Sequence, residues 1–471
     1  MKNFNYRKNR FIIVILSFML HPGMWLFAQQ EISLKECQRM ALEHNHKIRQ
    51  ARKKAEASTS MRKAAFTRFL PEFNAEGTYF RLNKKLNLTL PEQYLPVTDA
   101  QGNPVLTTGP DGNLMVKNYA WLPEQDLEFG EKNIYAAGLT MNQTIYAGGK
   151  IRELHRIAGS RERIAGMRKD LKASEVLFET AQKYWKVVSV KEKVILARAY
   201  RKQVDSLIND LENLRQEGII TANEILKAKV RRNEVRLKLT KAENGLKLAQ
   251  MALNQMTGMP LDTSWQLKDS LGEVNAGIDV ADFRYKALNK RPELKMLQQR
   301  VSISESGVEL SKSRFMPDVA LSANYYFLNP NPFNNFKNQF GHDWMVGVVC
   351  QVPLFHWGDR LHTLNAAKLG KEIAHLKLEE TKEKIQLQVQ QQIFKLQEAF
   401  KEVELTQTSL KQAKENLEVT KNNLNEGLAK TTDVLEAQAM WQKAKASEIQ
   451  AKTDLQLAWL ALQKAIGELD L

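Results

Sequence analysis

Two stretches of the chain space their apolar residues as only long helices do. Along Lys150 to Glu217, Leu196, Tyr200, Val204, Leu207, Leu211 and Leu214 recur every three or four residues, and along Asp359 to Glu426, Val403, Leu410, Leu417 and Leu424 recur every seven. Both patterns mark a narrow apolar seam of the left-handed coiled-coil kind. Neither stretch contains proline, and each is followed by a glycine, Gly218 or Gly427. At about 1.5 Å rise per residue each predicts a helix of roughly 100 Å, far longer than a compact domain uses. Shorter helices are predicted over Ser33 to Phe69, Ala222 to Met256, Val280 to Phe315 and Thr431 to Ile466. Pro71 and Pro317 end the first and third, and Pro292 splits the third into a short and a longer helix.

Between helices the period changes to two. Val319, Leu321, Ala323, Tyr325 and Phe327 alternate with smaller or more polar residues, as do Trp344, Val346, Val348, Cys350, Val352 and Leu354. Phe73, Ala75, Gly77 and Tyr79 form a weaker counterpart of the first run; Tyr135, Ala137, Leu139 and Met141, with Ile145, form a clearer counterpart of the second. Four strands of about ten residues are the length that crosses a bilayer at a tilt. Phe69, Tyr146, Phe315, Phe355 and Trp357 gather at one end of them and Phe80, Tyr135, Phe327 and Trp344 at the other, as two interfacial girdles require. An ordinary half-buried hairpin is the competing reading.

The elements occur twice. Ala41-Leu42 aligns with Ala287-Leu288 and Arg68-Phe69-Leu70-Pro71 with Arg314-Phe315-Met316-Pro317, at a constant offset of 246. Beyond the strands the offset is 209, matching Glu217-Gly218 to Glu426-Gly427 and Gly258 to Gly467. One net insertion in the first copy, between residues 81 and 135, explains the difference. The implied division is a leader over 1–28, a first repeat over 29–262, an inter-repeat belt over 263–280 and a second repeat over 281–471. Summed lengths suggest that Ala222 to Met256 stacks end to end with Val280 to Phe315 along one long helix, the two chain ends closing the other half-helix pair.

Four strands cannot close a sheet, and an open edge in lipid leaves backbone groups unsatisfied at several kcal/mol each. Closure must come from further copies. Three chains give twelve strands around an aqueous lumen, whereas two give eight and a barrel filled by its own side chains. The fold class expected is mainly α with a membrane β-barrel part: long antiparallel coiled-coil helices forming an α-barrel, and four strands per chain in a twelve-stranded trimeric barrel.

Composition narrows the function. Lys2, Arg7, Lys8 and Arg10, the apolar run Phe11 to Leu20 and a cleavage point after Ala28 read as a secretory signal peptide. The net charge of +16 falls to +12 without it, and Lys and Arg are mixed with Glu along helical surfaces, so a solvated face is the reading and nucleic acid is not expected as a partner. Cys37 and Cys350 are expected unpaired. No histidine pair has ligand spacing, and no phosphate loop or nucleophile elbow occurs, so neither cofactor, metal nor catalysis is expected.

The chain resembles the TolC-like outer-membrane efflux proteins, or outer membrane factors. Ile32-Ser33-Leu34-Lys35-Glu36 leading to Ala41-Leu42-Glu43-His44-Asn45 is similar to that family's opening helix, and the repeated helix, two strands, long helix, tip and return helix resemble its architecture. Gly218 to Leu226 and Gly427 to Leu435 resemble the family's turns at the far periplasmic end. The resemblance implies a homotrimer in outer-membrane lipid, its helices in the periplasm. It also implies that the tips, at Gly218, Thr221, Glu224, Gly427, Thr431 and Asp433, contact a periplasmic adaptor (membrane fusion) protein linked to an inner-membrane transporter. Thr221 and Glu224 have capping-box spacing; Lys430 occupies the matching position in the second tip, which would pass capping to Thr431 or Thr432. Glu415 and Glu418, three apart on one helical face, are assigned by resemblance to the periplasmic gate. The alternative is two solvated glutamates, with Lys411 one turn away to pair with Glu415. The chain departs from the family in its long first external loop, about Arg81 to Lys132, and in stopping at Leu471 without the C-terminal tail of longer members. The function implied is the exit duct of a tripartite efflux pump. The same fold in type I protein secretion is the alternative, and a secreted coiled-coil scaffold without a pore is the rival of another class.

Overall fold

A computed structural model describes residues 31–129, 131–272, 274, 279–334 and 336–469, and the expected leader, 1–28, lies outside them. In chain order the elements are β1 (Glu31–Ile32), α1 (Leu34–His44), α2 (His46–Thr67) and β2 (Glu72–Arg81). Six short strands follow: β3 (Leu86–Leu90), β4 (Gln93–Pro96), β5 (Leu106–Thr108), β6 (Leu114–Val116), β7 (Tyr119–Leu122) and β8 (Gln125–Phe129). Then come β9 (Asn133–Ala147), α3 (Lys150–Gln216), α4 (Ala222–Thr257), β10 (Gln266–Leu267), α5 (Val280–Lys290), α6 (Pro292–Ser313), β11 (Asp318–Asn329), β12 (Gly341–Gln351), α7 (Asp359–Asn425) and α8 (Thr431–Ile466).

The long helices α3 and α7 each run 67 residues without a break. The α3 seam is buried as the spacing predicts, with Leu214 half-buried, whereas on α7 Leu417 and Leu424 are buried and Val403 and Leu410 only half-buried. Tyr200, Val204, Leu207 and Leu211 of α3 join Ile225 of α4 and Leu424 and Val434 of the α7–α8 hairpin in one core at the far end. Leu396 and Val389 of α7 pack with Leu455 and Leu462 of α8 and Leu294 and Val301 of α6 nearer the middle. The first short helix breaks where the sequence suggested continuity. Asn45 leaves the helical region at φ −66°, ψ 129°, and its side chain accepts from the Lys47 amide at 2.8 Å, capping a new helix. Arg291 also leaves the helical region, at φ −61°, ψ 125° before Pro292, without a side-chain cap.

The half-length helices do not stack as their summed lengths suggested. The end of α4 meets the start of α2, within the same copy of the unit. Asn45 Nδ2 donates to the Met256 carbonyl at 3.5 Å, and Ala41, Ile48, Val176 and Met256 share one core. Gly258, at φ +79°, lies so close that a Cβ there would stand 2.5 Å from His44 Cβ. In the second copy Gly467 abuts Lys290, and Lys290 Nζ reaches Glu468 at 2.6 Å. The reason is direction: α3 carries the chain down, α4 brings it back half-way, and its end is delivered to the helix its own copy began with.

At that level the belt crosses α3. β1 and β10 pair in parallel, Ile32 beside Leu267. The fully buried Tyr184 hydroxyl donates to the Asp269 carboxylate at 2.8 Å and accepts from the Asp269 amide at 3.2 Å, while the Leu34 amide reaches the same carboxylate at 2.8 Å. Burial, foremost, holds the Tyr184 phenol above its ordinary pKa and pushes the neighbouring Cys37 thiol up to about 12.

Helices form a row: α3 packs against α2 and α4, and against α6 and α8, which in turn pack against α7. The sheet follows the same order, β12-β11-β9-β2, all antiparallel. One end of the row is therefore α2 with β2, and the other α7 with β12. The ladder of β12 stops at Gln351, short of the Leu354 expected, because Pro353 has no amide to continue it.

The long first external segment is more than a loop. β3 pairs with β8, β4 with β7 and β5 with β6, so that β2 and β9 are prolonged as a two-stranded ribbon. Beyond β4 it forks: the Val97 amide donates to Asn118, Val105 to Val97, and Lys117 to Val105.

Candidate functional site: sheet faces and helix tips

Strand register assigns each side chain to a face. Phe73 lies opposite Met141, Ala75 opposite Leu139, Leu321 opposite Val348, Ala323 opposite Val346, and Tyr325 between Leu139 and Trp344. Between its two ends, where Gln143 (opposite Leu321) and His342 (opposite Phe327) lie, this face is apolar from edge to edge and exposed in the single chain, with Phe73 at 74% and Val348 at 64%. Cys350 lies on it too, and both cysteines are free, as expected. The opposite face carries Glu72, Asn74 and Glu76 on β2, Thr140 and Asn142 on β9, Ser322, Asn324 and Asp318 on β11, and Asp343 and Gln351 on β12. These positions hold four carboxylates and no basic residue. A bulge at Val319/Ala320 leaves Ile145 as the extra residue of β9 near the helix end.

Among the described residues no helix is long and apolar enough to cross a membrane. The sheet's edges β2 and β12 have free backbone groups on their outer sides. The helices beside those edges are also uncovered. Leu376, Leu387, Phe394, Leu405 and Val419 form an exposed stripe on α7, spaced by multiples of the helical repeat, and Leu226, Val230, Leu237 and Leu248 form another on α4.

At the far end the two tips come together. Gly218 (φ +77°) and Gly427 (φ +74°) reverse the chain, and the Ile219 and Leu428 amides close the turns onto Leu214 and Asn423 at 2.9 and 2.7 Å. A groove of about 330 Å³ lies between the tips. Thr221, Glu224, Gly427 and Thr431 line it; Gly218 and Asp433 stand outside it. The capping box read from Thr221 and Glu224 does not form. Thr221 caps α4 by position without a side-chain hydrogen bond, and the Glu224 carboxylate accepts from Lys227 at 2.8 Å. At the second tip capping does not pass to Thr431 or Thr432. Lys430 is the cap residue, and its amide donates to Asp433 Oδ2 at 2.9 Å. Lys227 first, then Thr431 and Lys430 from the other tip, hold the Glu224 carboxyl below the usual carboxylate range. Sequence reading passed over Ile219 and Leu428, which occupy matching positions and are 58% and 74% exposed. Two apolar residues repeated at solvent-facing turns were the available signal.

Glu415 and Glu418 lie on an exposed face of α7 just above the second tip. Lys414 approaches Glu418 at 3.9 Å, both side chains two-thirds exposed, and among the described residues Glu415 has no ion-pair partner, Lys411 included. Such a pair in solvent is worth little. Among the described residues no group of His, Cys, Asp or Glu is arranged to hold a metal.

Comparison with known proteins agrees with this architecture. The family model described as "Outer membrane efflux protein" matches residues 38–259 and 283–468. The outer membrane protein TolC of Vibrio cholerae serotype O1 is 22% identical over 72% of this chain and 78% of its own. The proteases secretion protein PrtF of Dickeya chrysanthemi is 22% identical over 66% of this chain and 68% of its own. In fold, the Campylobacter jejuni CmeC outer membrane channel superimposes with a TM-score of 0.70 at 18% identity, covering 99% of this chain and 94% of that one.

Proposed function

The chain belongs to the outer membrane efflux protein family, an outer-membrane duct with its helical part in the periplasm, and from that premise we propose that three copies close into the exit duct of a tripartite efflux pump. The observation that carries the closure is the row of elements ending in two unfinished edges at both levels. β2 and β12 run antiparallel to each other, so β2 of one copy pairs with β12 of the next. The same operation brings the lower part of the α7 stripe, Leu405 and Val419, against the α4 stripe, burying apolar surface that a single chain leaves in water. Repeated around an axis, it turns the polar sheet face into a lumen and the apolar face toward lipid.

Substrates enter from the periplasm at the tips. There Glu415 and Glu418 form a carboxylate gate, six carboxylates around one axis, favouring cations and repelling one another when close. The groove between the tips, with Thr221, Glu224, Gly427 and Thr431, and the flanking Gly218 and Asp433, receives a periplasmic adaptor that links the duct to an inner-membrane transporter. The duct itself catalyses nothing and holds no cofactor. Protein secretion is the second reading, favoured by the match to a proteases secretion protein over two thirds of both chains.

Single-channel conductance in a planar bilayer tests this. Wild type should give small cation-selective openings, and Glu415→Gln/Glu418→Gln larger or less selective ones. Pores unchanged by the substitution would remove the gate assignment, and folded protein that never conducts would sink the duct.

A further inference from the structure

The external ribbon divides chemically into a neck and a head. Its neck carries Lys84, Lys85 and Glu92 beside β3, and Asp126 and Glu128 on β8 with Glu124, Glu131 and Lys132 beside it. Its head, residues 93–122, has only Asp99, Asp111 and Lys117 as charged residues. Tyr94 faces Trp121 and Pro96 faces Tyr119 across the β4–β7 ladder, while Leu106, Leu114 and Val116 share a face of the β5–β6 hairpin. Tyr94 and Leu114 are 70% exposed, Trp121 and Tyr119 57%. Two-stranded ribbons are marginal in water on their own, and an aromatic face this open marks an interaction surface.

We propose that the heads of neighbouring copies pack on one another above the outer mouth, forming a second interface outside the membrane. This rests on the ring of copies proposed above. Three observations select a second copy as the occupant. The ribbon is rooted in β2, the strand at the seam between copies, so the neighbour is the nearest protein surface. A twelve-stranded mouth is about 25 Å across, whereas the ribbon from Arg81 to Pro96 reaches up to about 50 Å, so heads leaning inward must meet. Their low charge lets like surfaces approach without repulsion, while the charged neck holds them in water, away from the lipid beside the barrel. The assembled heads stand over the exit and restrict it.

Disulfide trapping in the assembled protein tests the proposal. In a Cys350→Ala background, Leu114→Cys and, on the other ribbon face, Met115→Cys are oxidised in detergent particles whose mass is measured by light scattering. At least one should shift most of the chain to twice its mass on a non-reducing denaturing gel. Particles of several chains in which both variants stay at monomer mass would overturn the head interface and leave the duct standing. Particles of a single chain would overturn the ring as well. If Leu114→Cys becomes shielded from a water-soluble thiol reagent only in lipid vesicles, the head rests on the bilayer and the proposal falls.

Discussion

At the scale of residues, stability rests on a few positions where backbone conformation and close approach coincide. Gly258 combines φ +79° with a Cβ site 2.5 Å from His44, so Gly258→Ala should cost about 1–3 kcal/mol and lower the melting temperature followed by helical circular dichroism. Gly245 lies inside α4 with its Cβ site 4.0 Å from Val190, and Gly245→Ala should instead add about 0.5–1 kcal/mol in the same experiment. Glu224 gives a pH dependence with a defined sign. Its folded pKa lies below the ordinary 4.5, so its contribution is complete above that value and is lost as pH falls through the folded pKa. Glu224→Gln should therefore melt earlier than wild type at pH 7, by about 0.5–1 kcal/mol, with the gap closing below about pH 4. The spacing of Thr221 and Glu224 was legible as a capping box, yet Lys227 one turn on competed for the carboxylate and won.

Elements separate what holds one chain together from what waits for another. Leu396 is fully buried in the α6–α7–α8 core, and Leu396→Ala should cost about 2–5 kcal/mol in denaturant unfolding. Leu387 sits on the exposed α7 stripe, and Leu387→Glu should leave helix content unchanged while reducing the particle, by light scattering, to fewer chains. Both long helices and all four membrane strands were readable because their periods, near 3.5 and 2, persist far longer than chance allows. The stacking of half-helices was not. α2 and α6 both span 22 residues, so length cannot say which of them sits on α4; only the path of the chain can. The ribbon escaped notice because strands of three to five residues, broken by Pro96, Pro104 and Gly109, are too short for alternation to register.

For the whole molecule, sidedness is the property that matters. Val348→Arg puts a cation on the lipid face and should cost about 2–4 kcal/mol near mid-membrane, read as loss of heat-stable particles after reconstitution. Ser322→Arg, one register position away on the polar face, should assemble normally and change conductance instead. Neither outcome depends on size or helix content, only on which way a strand position points. The two unfinished sheet edges also reach beyond biophysics. In the proposed ring of three, a chain whose β2 can no longer pair would spoil the assembly for the two sound copies beside it. In a cell making equal amounts of sound and defective chain, random mixing into threes leaves about one ring in eight wholly sound. Edge mutations in this protein should therefore be genetically dominant, whereas a substitution that merely unfolds the chain before assembly should be recessive.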